Sequence, residues 1–406
     1  MTVKRYMTAK EAAAALEISV ATLYAYVSRG LIRSEAGEGK SRARCYRADD
    51  VAALQSRKEL RRNPAKAAET ALHFGQPVLE SAITLIENGR LYYRGYDVTK
   101  LPQRYSFEAV AGLIWQDAFA EDDLFAAPLP DSLWQQVQKI EPLLRDMPPV
   151  EAFQVALPLV GTHDLAAYDL SETAVIQTGV RLLKLLTAVA TGHQSGKKMA
   201  ESLQRAWTPH DMNATALLNT ALIFCADHEL NVSSFAARTV ASAAATPYAA
   251  VIAGLAALRG RLHGGATEQV AVFLQEVGRP ENAPSVVASR LKRGDPIPGF
   301  GHPLYPAGDP RGRALLDSVT AVYPEAPAVA LTRGVETAVA DTIGHLPTID
   351  MALVTLAQAA QMPLSAPLTM FALGRTAGWI GQALEQYRHN QLIRPRAKYT
   401  GQRPRE

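Results

Sequence analysis

A series of apolar segments with helical periodicity, separated by short breaks that contain proline or glycine, most constrains the fold of this chain. From about residue 76 onward the pattern predicts an all-α body. One β pattern, Ile83–Ile86, then Asn88-Gly89, then Leu91–Tyr93, predicts a short hairpin with a two-residue turn. Examples of the predicted helices are Phe107–Phe119, Val175–Thr191, Ala214–Phe224, Phe235–Leu258, Glu336–His345, Met351–Ala360 and Leu368–Gln386.

The first 62 residues have a different pattern, typical of a small domain with short helices. Residues Thr8–Glu11 form a capping-box sequence, which predicts the start of a first helix. Ser19 is a favoured N-cap residue for a second helix, Val20–Ser28, and Gly30 stands where glycine commonly ends a helix.

A polar stretch over residues 33–44 follows and suits a β-wing, and Asp49-Asp50 begins a third helix. This layout predicts a winged helix-turn-helix domain. Residues 1–62 hold 13 Lys and Arg against 7 Asp and Glu, an excess of +6 in a 406-residue chain whose net charge is +3. A basic head on a nearly neutral body makes nucleic acid one candidate partner.

Six side chains of the head are candidate DNA contacts. Arginines would reach phosphates, and hydroxyl or aromatic side chains of the second helix would face a groove. The candidates are Ser19, Thr22, Tyr26, Arg29, Arg42 and Arg44. The alternative is a solvated basic surface on a domain that serves only interaction or folding.

The head resembles the DNA-binding domain of MerR-type regulators and of excisionase-like proteins. The resemblance rests on Thr8–Ala13, Ile18–Tyr24, Gly30–Ile32 and Tyr46-Arg47. Those regulators normally dimerise through a long coiled coil after the head, and this sequence has none. Dimerisation would therefore have to come from the body.

Two cysteines, Cys45 and Cys225, lie far apart in the sequence, which excludes a disulfide framework and a C-x-x-C metal pair. The start of the chain has no secretory signal pattern, and no apolar run approaches the roughly 20 residues of a membrane span. We therefore expect a cytoplasmic protein without a membrane contact.

Three histidines have unusual sequence settings. His228 lies in Asp-His-Glu-Leu-Asn, His263 in Leu-His-Gly-Gly-Ala, and His302 in Gly-Phe-Gly-His-Pro. Glycines beside two of them allow a close approach of the backbone to a ligand. Asp350 and Arg311 lie further along the chain. Imidazoles, a carboxylate and guanidinium groups are the side chains that carbon–carbon bond formation on an anionic substrate would need.

Several motifs, in this order along more than 300 residues, resemble the citrate synthase family. They are Gly89–Asp97, Ala226–Phe235, Leu262–Ala266, Gly299–His302 with Tyr305, Asp309–Arg311, Asp350, Gly374–Trp379 and Arg394–Gly401. The resemblance implies an acyltransferase that converts an acyl group to an alkyl group, and joins acetyl-CoA to oxaloacetate.

The resemblance also implies a role for each matching side chain. Asp350 would take the methyl proton of the thioester. His263, as a neutral imidazole whose other nitrogen is held by a backbone group, would stabilise the enolate oxygen. His302 would polarise the ketone of the acceptor. The residues that would bind the acceptor are His228, Arg311, Arg375 and Arg394, the last contributed by the neighbouring subunit of a homodimer with shared active sites.

The coenzyme would meet the loop Ile297, Pro298, Gly299, Phe300 and Gly301, whose backbone groups face the adenine in the family. No metal and no resident cofactor are implied, since the coenzyme A thioester is a substrate. Hydrolysis of citryl-CoA would complete a reaction of the tricarboxylic acid cycle.

The implied architecture is the citrate synthase fold, with a large and a small helical domain, preceded by a winged helix-turn-helix domain. The boundaries we expect are 1–62 for the head, 63–75 for a linker, 76–264 and 365–406 for the large domain, and 265–364 for the small domain. Binding of the keto acid should swing the small domain shut.

Two alternatives stay open. A 2-methylcitrate synthase would use propionyl-CoA, and a pocket larger by one methyl group discriminates by only about 1–3 kcal/mol, which sequence does not reveal. A protein of another class, a DNA-binding regulator, would use a synthase-like body to sense its ligand.

Overall fold

The computed structural model of the protein describes residues 6–29, 31–36, 44–48, 50–51, 54, 79–120, 124–194, 196, 198–397 and 399–404. The chain divides into two compact units, Met1–Glu80 and Ser81–Glu406. The predicted linker, residues 63–75, lies outside the described residues, and so does Gly30. The finer division of the body into a large and a small domain stays a prediction.

The head unit begins with the predicted pair of helices. Helix α1 (Ala9–Ala15) starts at a complete capping box, in which Thr8 and Glu11 each accept a hydrogen bond from the backbone N–H of the other. Helix α2 (Val20–Ser28) starts at Ser19, whose hydroxyl accepts from the N–H of Thr22. Both predicted starts are confirmed, because a cap depends only on residues within one turn of the chain.

A three-stranded antiparallel sheet accompanies these two helices in the head, and the described residues 48, 50, 51 and 54 are helical. Its strands β1 (Tyr6–Met7), β2 (Ser34–Ala36) and β3 (Arg44–Arg47) stand in the order β1-β3-β2. Strands β2 and β3 pair antiparallel where the wing was predicted, and residues 37–43 lie outside the described residues. The core of the head is small and contains Ala12, Leu16, Leu23, Ile32, Tyr46 and Val51.

The body begins with the predicted hairpin. Strands β4 (Thr84–Glu87) and β5 (Arg90–Tyr93) pair antiparallel, and a short strand β6 (Tyr96–Asp97) extends the sheet. The turn residues Asn88 and Gly89 both have positive φ, 52° and 73°. A two-residue hairpin turn of this kind favours Asn-Gly because both central residues must adopt left-handed conformations.

Helices make up the rest of the body, as predicted. They are α3 (Phe107–Gln116), α4 (Asp131–Leu144), α5 (Pro149–Gly161), α6 (Glu172–Thr191), α7 (Met199–Trp207), α8 (Ala214–Cys225), α9 (Val232–Ala241), α10 (Pro247–Leu258), α11 (Ala266–Val277), α12 (Ala283–Arg293), α13 (Pro310–Val322), α14 (Pro327–Ile343), α15 (Ile349–Ala359) and α16 (Ala366–His389), with short 3₁₀ turns at Val98–Gln103, Leu165–Tyr168 and Pro280–Asn282.

The predicted single helix Phe235–Leu258 is wrong, because the structure has two helices there, α9 and α10. Ala244, between them, has a left-handed φ of 57°. Thr246 caps α10 by accepting from the N–H of Ala249, and Pro247 occupies its first turn. A threonine followed by a proline is a strong helix start, and it overrides the continuous run of alanines.

Helix α16 forms the centre of the body. Every residue from Ala366 to Gln386 is buried, and the helix packs against α3, α6, α8, α9 and α10. Glycines permit these close crossings. A Cβ at Gly378, for example, would meet the carbonyl oxygen of Ala226 and lie 2.6 Å from Oδ1 of Asp227.

By length and composition, helix α6 could cross a membrane, whereas the sequence led us to expect no such segment. However, 67% of its most apolar window is buried inside the body. Its charged groups have partners there. The ammonium of Lys184 donates to the carbonyl oxygens of Phe125 and Ala127, and Arg181 pairs with Asp164 at 2.7 Å. Helix α6 therefore has the character of a core helix.

Candidate active site

Two loops that the sequence singled out lie side by side. The backbone N–H of Gly301 donates to the carbonyl oxygen of Leu346 at 2.9 Å, and that of Thr348 donates to Gly299 at 2.8 Å. These bonds join the loop before His302 to the turn that precedes Asp350. Gly299 and Gly301 have positive φ, and a Cβ at either would lie within 3.0 Å of a neighbouring side chain. Only glycine fits there without strain.

Asp309 and Arg311 extend this arrangement at the start of α13. Both oxygens of the Asp309 carboxylate accept from the Arg311 guanidinium, at 3.0 and 2.9 Å, and the carboxylate also accepts from the N–H of Ile349 at 3.2 Å. Burial tends to raise the pKa of Asp309, but Arg311 lowers it overall. The ion pair therefore ties the start of α13 to the start of α15.

His228, His302 and Tyr305 form an aromatic cluster beside this ion pair. The rings of His228 and His302 are 5.3 Å apart, and Nε2 of His228 lies 2.9 Å from the Tyr305 hydroxyl. Nδ1 of His302 accepts from the backbone N–H of Leu304 at 3.2 Å. The neutral His302 ring therefore carries its proton on Nε2.

Burial lowers the pKa of both histidines, and the positive charge of Arg311 adds to the effect. Both rings are therefore neutral at pH 7. A neutral ring in a buried site can donate a hydrogen bond without adding a positive charge.

His263 lies in a second hydrogen-bonded cluster. Its Nε2 is 2.8 Å from the hydroxyl of Ser233, which also accepts from the indole N–H of Trp379 and contacts Oδ1 of Asn231. Burial, followed by the charge of Arg375, lowers the pKa of His263 to about 3. We expected a backbone group to hold the second ring nitrogen, and a serine hydroxyl holds one nitrogen instead.

Asp350 lies in the first turn of α15, where the resemblance places a base. Its Oδ2 accepts from the Thr348 hydroxyl at 3.3 Å, whereas its Oδ1 is buried without a hydrogen-bond partner. Burial raises the pKa of this carboxyl to about 6, with Arg311 opposing the shift. The charged form is therefore held in a poorly solvated position, which increases its basicity.

Arg375 and Asp227 are two further charged residues of the site, and both are buried. Nε of Arg375 donates to the carbonyl oxygen of Cys225 at 2.7 Å. Asp227 accepts from the hydroxyl of Thr84 at 2.6 Å, and burial raises the pKa of its carboxyl to about 6 while Arg375 lowers it. Asp227 thus provides a buried negative charge near the guanidinium.

Arg394 is separate from these groups. It is exposed and has no hydrogen bond or ion pair with any described residue of its own chain. The structure thus brings together His228, His302 and Arg311. Electrostatic interactions link Asp350, His263 and Arg375 to this group. Arg394 is not part of it.

In the candidate coenzyme loop, the side chains of Ile297 and Phe300 belong to the hydrophobic core. Pro298 and Gly299 are partly exposed and Gly301 is exposed. Because the Gly301 N–H is bonded to Leu346, it is not available to an adenine in this arrangement.

In the head, Ser19 and Thr22 bond to each other as part of the cap of α2. Tyr26 packs against the head core. Arg29 and Arg44 are exposed, and Arg44 donates to the hydroxyl of Ser34. Arg42 lies outside the described residues.

Sequence reasoning assigned no role to Tyr305, Ser233 or Asp227. All three stand inside the matching motifs, next to or within five residues of a candidate histidine. Their hydrogen bonds join segments 30 to 143 residues apart in sequence. In the sequence, only their closeness to the candidate histidines indicated that these three residues matter to the site.

Within the described residues, no group of three or more His, Cys, Asp and Glu side chains is arranged to hold a metal ion. The arrangement is one of neutral imidazoles, a basic carboxylate and two buried guanidinium groups. Such a set can abstract a proton from a carbon acid while it binds an anionic partner.

Two family models and several characterised proteins match this chain. The family model for "Citrate synthase, C-terminal domain" matches residues 73–396, and that for "MerR HTH family regulatory protein" matches residues 7–64. The chain is 28% identical over 348 residues to citrate synthase 2 of Bacillus subtilis, covering 79% of this chain and 93% of the relative. It is 27% identical over 354 residues to 2-methylcitrate synthase 2 of Corynebacterium glutamicum, covering 79% and 91%.

Solved structures show the same fold. Citrate synthase from Pyrobaculum aerophilum superimposes with a TM-score of 0.71 at 24% identity, covering 81% of this chain and 92% of that one. Citrate synthase from Thermotoga maritima gives 0.70 at 24%, covering 82% and 96%. The predicted fold class is confirmed, and the chain belongs to the citrate synthase family with an N-terminal domain of the MerR helix-turn-helix type.

Proposed function

We propose that this protein is a citrate synthase, which condenses acetyl-CoA with oxaloacetate and hydrolyses citryl-CoA to citrate and coenzyme A. The observation that carries the proposal is the Asp350 carboxyl, with its buried, unpartnered Oδ1 and its pKa of about 6. A carboxylate with a buried oxygen that lacks a hydrogen-bond partner costs stability, and such a cost is typical of a group kept for chemistry.

Asp350 acts as the base. A thioester methyl is a far weaker acid than a carboxylic acid, so the carboxylate can take its proton only if the developing enolate oxygen is stabilised at the same moment. A pKa near 6 leaves the carboxylate charged at pH 7 but more basic than an ordinary aspartate.

His263 stabilises the enolate oxygen. The Ser233 hydroxyl has one proton and two neighbouring acceptors, Oδ1 of Asn231 and Nε2 of His263. When this proton points to His263, the neutral ring carries its own proton on Nδ1, which can then donate to the thioester oxygen. Asn231 remains satisfied, because its Oδ1 also accepts from the backbone N–H groups of Ser233 and Ser234.

His302 polarises the ketone of oxaloacetate through its Nε2 proton, and arginines hold the carboxylates. The terminal nitrogens of Arg375 have no hydrogen bond with a described residue, so they can hold one carboxylate bidentately. Arg311 has Nε and Nη2 engaged with Asp309 and offers mainly Nη1. The thioester is a substrate, and the proposed chemistry uses no resident cofactor.

A thiol-release assay tests the proposal. Wild-type protein mixed with oxaloacetate and acetyl-CoA should release coenzyme A, and Asp350→Ala should reduce the rate at least 10³-fold. Asp341→Ala removes an exposed carboxylate from α14 and should leave the rate unchanged. A wild-type protein without activity on either acetyl-CoA or propionyl-CoA would contradict the proposal.

The acyl group has a second candidate, because relatives of similar identity carry the name 2-methylcitrate synthase. The ratio of kcat/KM for acetyl-CoA and propionyl-CoA decides between them. A ratio above about 10 in favour of acetyl-CoA, equivalent to about 1.4 kcal/mol, supports citrate synthase, and the reverse ratio supports 2-methylcitrate synthase.

The head supports a further candidate function, DNA binding, because residues 7–64 match a family of DNA-binding regulators. Wild-type protein should retard the DNA upstream of its own gene in a gel-shift assay, with an affinity that falls steeply as salt increases. Arg29→Ala combined with Arg44→Ala should weaken binding at least tenfold while citrate formation is unchanged. Equal binding by both proteins would exclude these arginines as DNA contacts.

A further inference from the structure

Tyr305 is a buried phenol in the centre of the site to which the proposed mechanism gives no role. Its side chain is 2% exposed. Its ring centroid lies 5.0 Å from that of His302 and 5.6 Å from that of His228, and its hydroxyl lies 2.9 Å from Nε2 of His228. Cζ of Arg311 lies 5.8 Å from the ring centroid. Tyr305 thus lies against two of the residues expected to bind the acceptor, His228 and Arg311, and against the histidine expected to polarise its ketone.

We propose that the hydroxyl of Tyr305 is an additional acceptor-binding group, which donates a hydrogen bond to a carboxylate of the keto acid in concert with His228 and Arg311. The inference rests on the proposed function, because it assigns a further contact within the same site.

The first argument comes from the protons of the His228–Tyr305 pair. His228 is neutral, so its ring has one N–H. If that proton is on Nε2, it is donated to the phenol oxygen, and the phenol O–H is then free to donate to a ligand. Within the described part of the chain, the hydroxyl has no other hydrogen-bond partner. A buried O–H without an acceptor is costly, and a ligand oxygen supplies one.

The second argument comes from Arg311. An arginine that binds a carboxylate bidentately uses two nitrogens, but Nε and Nη2 of Arg311 are engaged with Asp309. A carboxylate at Arg311 would therefore receive one strong hydrogen bond, from Nη1. Tyr305 lies directly beside this guanidinium and can supply the second donor. Burial raises the pKa of the phenol, so it keeps its proton and adds a donor without adding charge.

Two other roles predict different behaviour. If Tyr305 acts only by holding His228 in place, removing the hydroxyl would weaken oxaloacetate binding in wild-type protein but would have no further effect once His228 is replaced by alanine. If it occupies the place of the acceptor in the unliganded protein, removing the hydroxyl would tighten acceptor binding.

The experiment compares wild-type protein with Tyr305→Phe, which keeps the ring volume. Calorimetric titration with oxaloacetate alone gives its Kd, and steady-state kinetics give KM for each substrate. We expect the Kd and KM of oxaloacetate to rise about 10- to 100-fold, as for the loss of a hydrogen bond to a charged group. KM for the acyl-CoA should change less than threefold.

Tyr323→Phe is the matched control, because Tyr323 donates its hydroxyl to Asp211 at the other end of α13. This variant should bind oxaloacetate like wild type. Tyr305→Phe in a His228→Ala background separates a direct contact from an effect through His228, and it should still weaken oxaloacetate binding relative to His228→Ala alone.

An unchanged or tighter Kd for oxaloacetate in Tyr305→Phe would overturn the inference, as would an equal Kd in His228→Ala with and without Tyr305→Phe. Failure of wild-type protein to bind oxaloacetate or to release thiol would instead overturn the proposed function. The two failures are therefore distinguishable.

Discussion

Two carboxyls in the site, the partly buried one of Asp350 and the buried one of Asp227, have a pKa raised to about 6. In both cases burial disfavours the charged form, and a nearby arginine partly opposes it. Because each folded pKa lies above the ordinary value of 3.8, ionisation of these groups costs stability, fully so above pH 6, and the cost shrinks as the pH falls from about 6 to about 3.8. At neutral pH both carboxyls are therefore charged, although their burial in the folded protein disfavours the charged form.

The activity should depend on pH with an acid limb near 6. Below this value Asp350 is protonated and cannot take a proton, so kcat/KM should fall about tenfold for each pH unit. His263 should not contribute, since its pKa lies near 3. A pH series of thiol release, corrected for unfolding by circular dichroism, provides the measurement.

Asp227→Asn distinguishes the titration of Asp227 from that of Asp350 in this pH series. The variant removes one of the two groups that titrate near 6 but keeps the shape of the side chain. If the acid limb disappears in this variant, Asp227 and not Asp350 controls the rate.

At the scale of single residues, the sequence indicated the charged and imidazole groups because they stand in recognisable motifs. It did not indicate Ser233 or Tyr305 as their partners. A hydrogen bond between Tyr305 and His228 spans 77 residues of sequence, and only the packing of distant helices determines it.

Local sequence signals predict where helices start and where turns lie, whereas the other features of the helices depend on tertiary packing. The capping box at Thr8 and the Asn-Gly turn at residue 88 were predictable because each depends on a few neighbouring residues. The break between α9 and α10 was missed because the alanine-rich composition on both sides favours a continuous helix. Thr246-Pro247 was the local signal that would have identified it.

Helix α16 crosses the end of α8 at Gly378, and this crossing positions Asp227 beside Arg375. Gly378→Ala should lower the free energy of unfolding by about 1–3 kcal/mol, because a Cβ would overlap the backbone oxygen of Ala226. It should also weaken oxaloacetate binding, since Asp227 precedes His228 in the chain. Thermal unfolding and calorimetric titration measure the two effects.

Gly196→Ala is the control for this substitution, since a Cβ at Gly196 would have no neighbour closer than 3.7 Å. A Gly378→Ala protein that matches this control in both stability and affinity would show that the crossing tolerates a methyl group.

For the whole molecule, the exposed Arg394 predicts a site shared between two copies of the chain. Asp350→Ala and Arg394→Ala should each be nearly inactive alone. When the two are mixed, unfolded and refolded together, half of the dimers should be mixed and each should contain one intact site, so about a quarter of wild-type activity should return. Each variant refolded alone should remain inactive.

If Arg394 served a site in its own chain, the mixture would recover nothing, because no chain would contain both residues. This outcome would contradict the shared site. Analytical ultracentrifugation of the same samples verifies that the chains are dimeric.

The predicted closure of the body on its acceptor is also a property of the whole molecule. Oxaloacetate should reduce the radius of gyration in solution scattering, because a closed site excludes water from the enolate. Profiles recorded with and without oxaloacetate at saturating concentration provide the comparison, with an unrelated monocarboxylate as the control. Identical profiles would contradict the closure.

The backbone bonds that join Gly299 and Gly301 to residues 346–348 have a consequence for how the site works through its cycle. His302, which follows one loop, and Asp350, which follows the other, are attached to a common piece of backbone. The group proposed to activate the electrophile and the group proposed to create the nucleophile therefore travel together in any opening motion of the body that preserves these bonds.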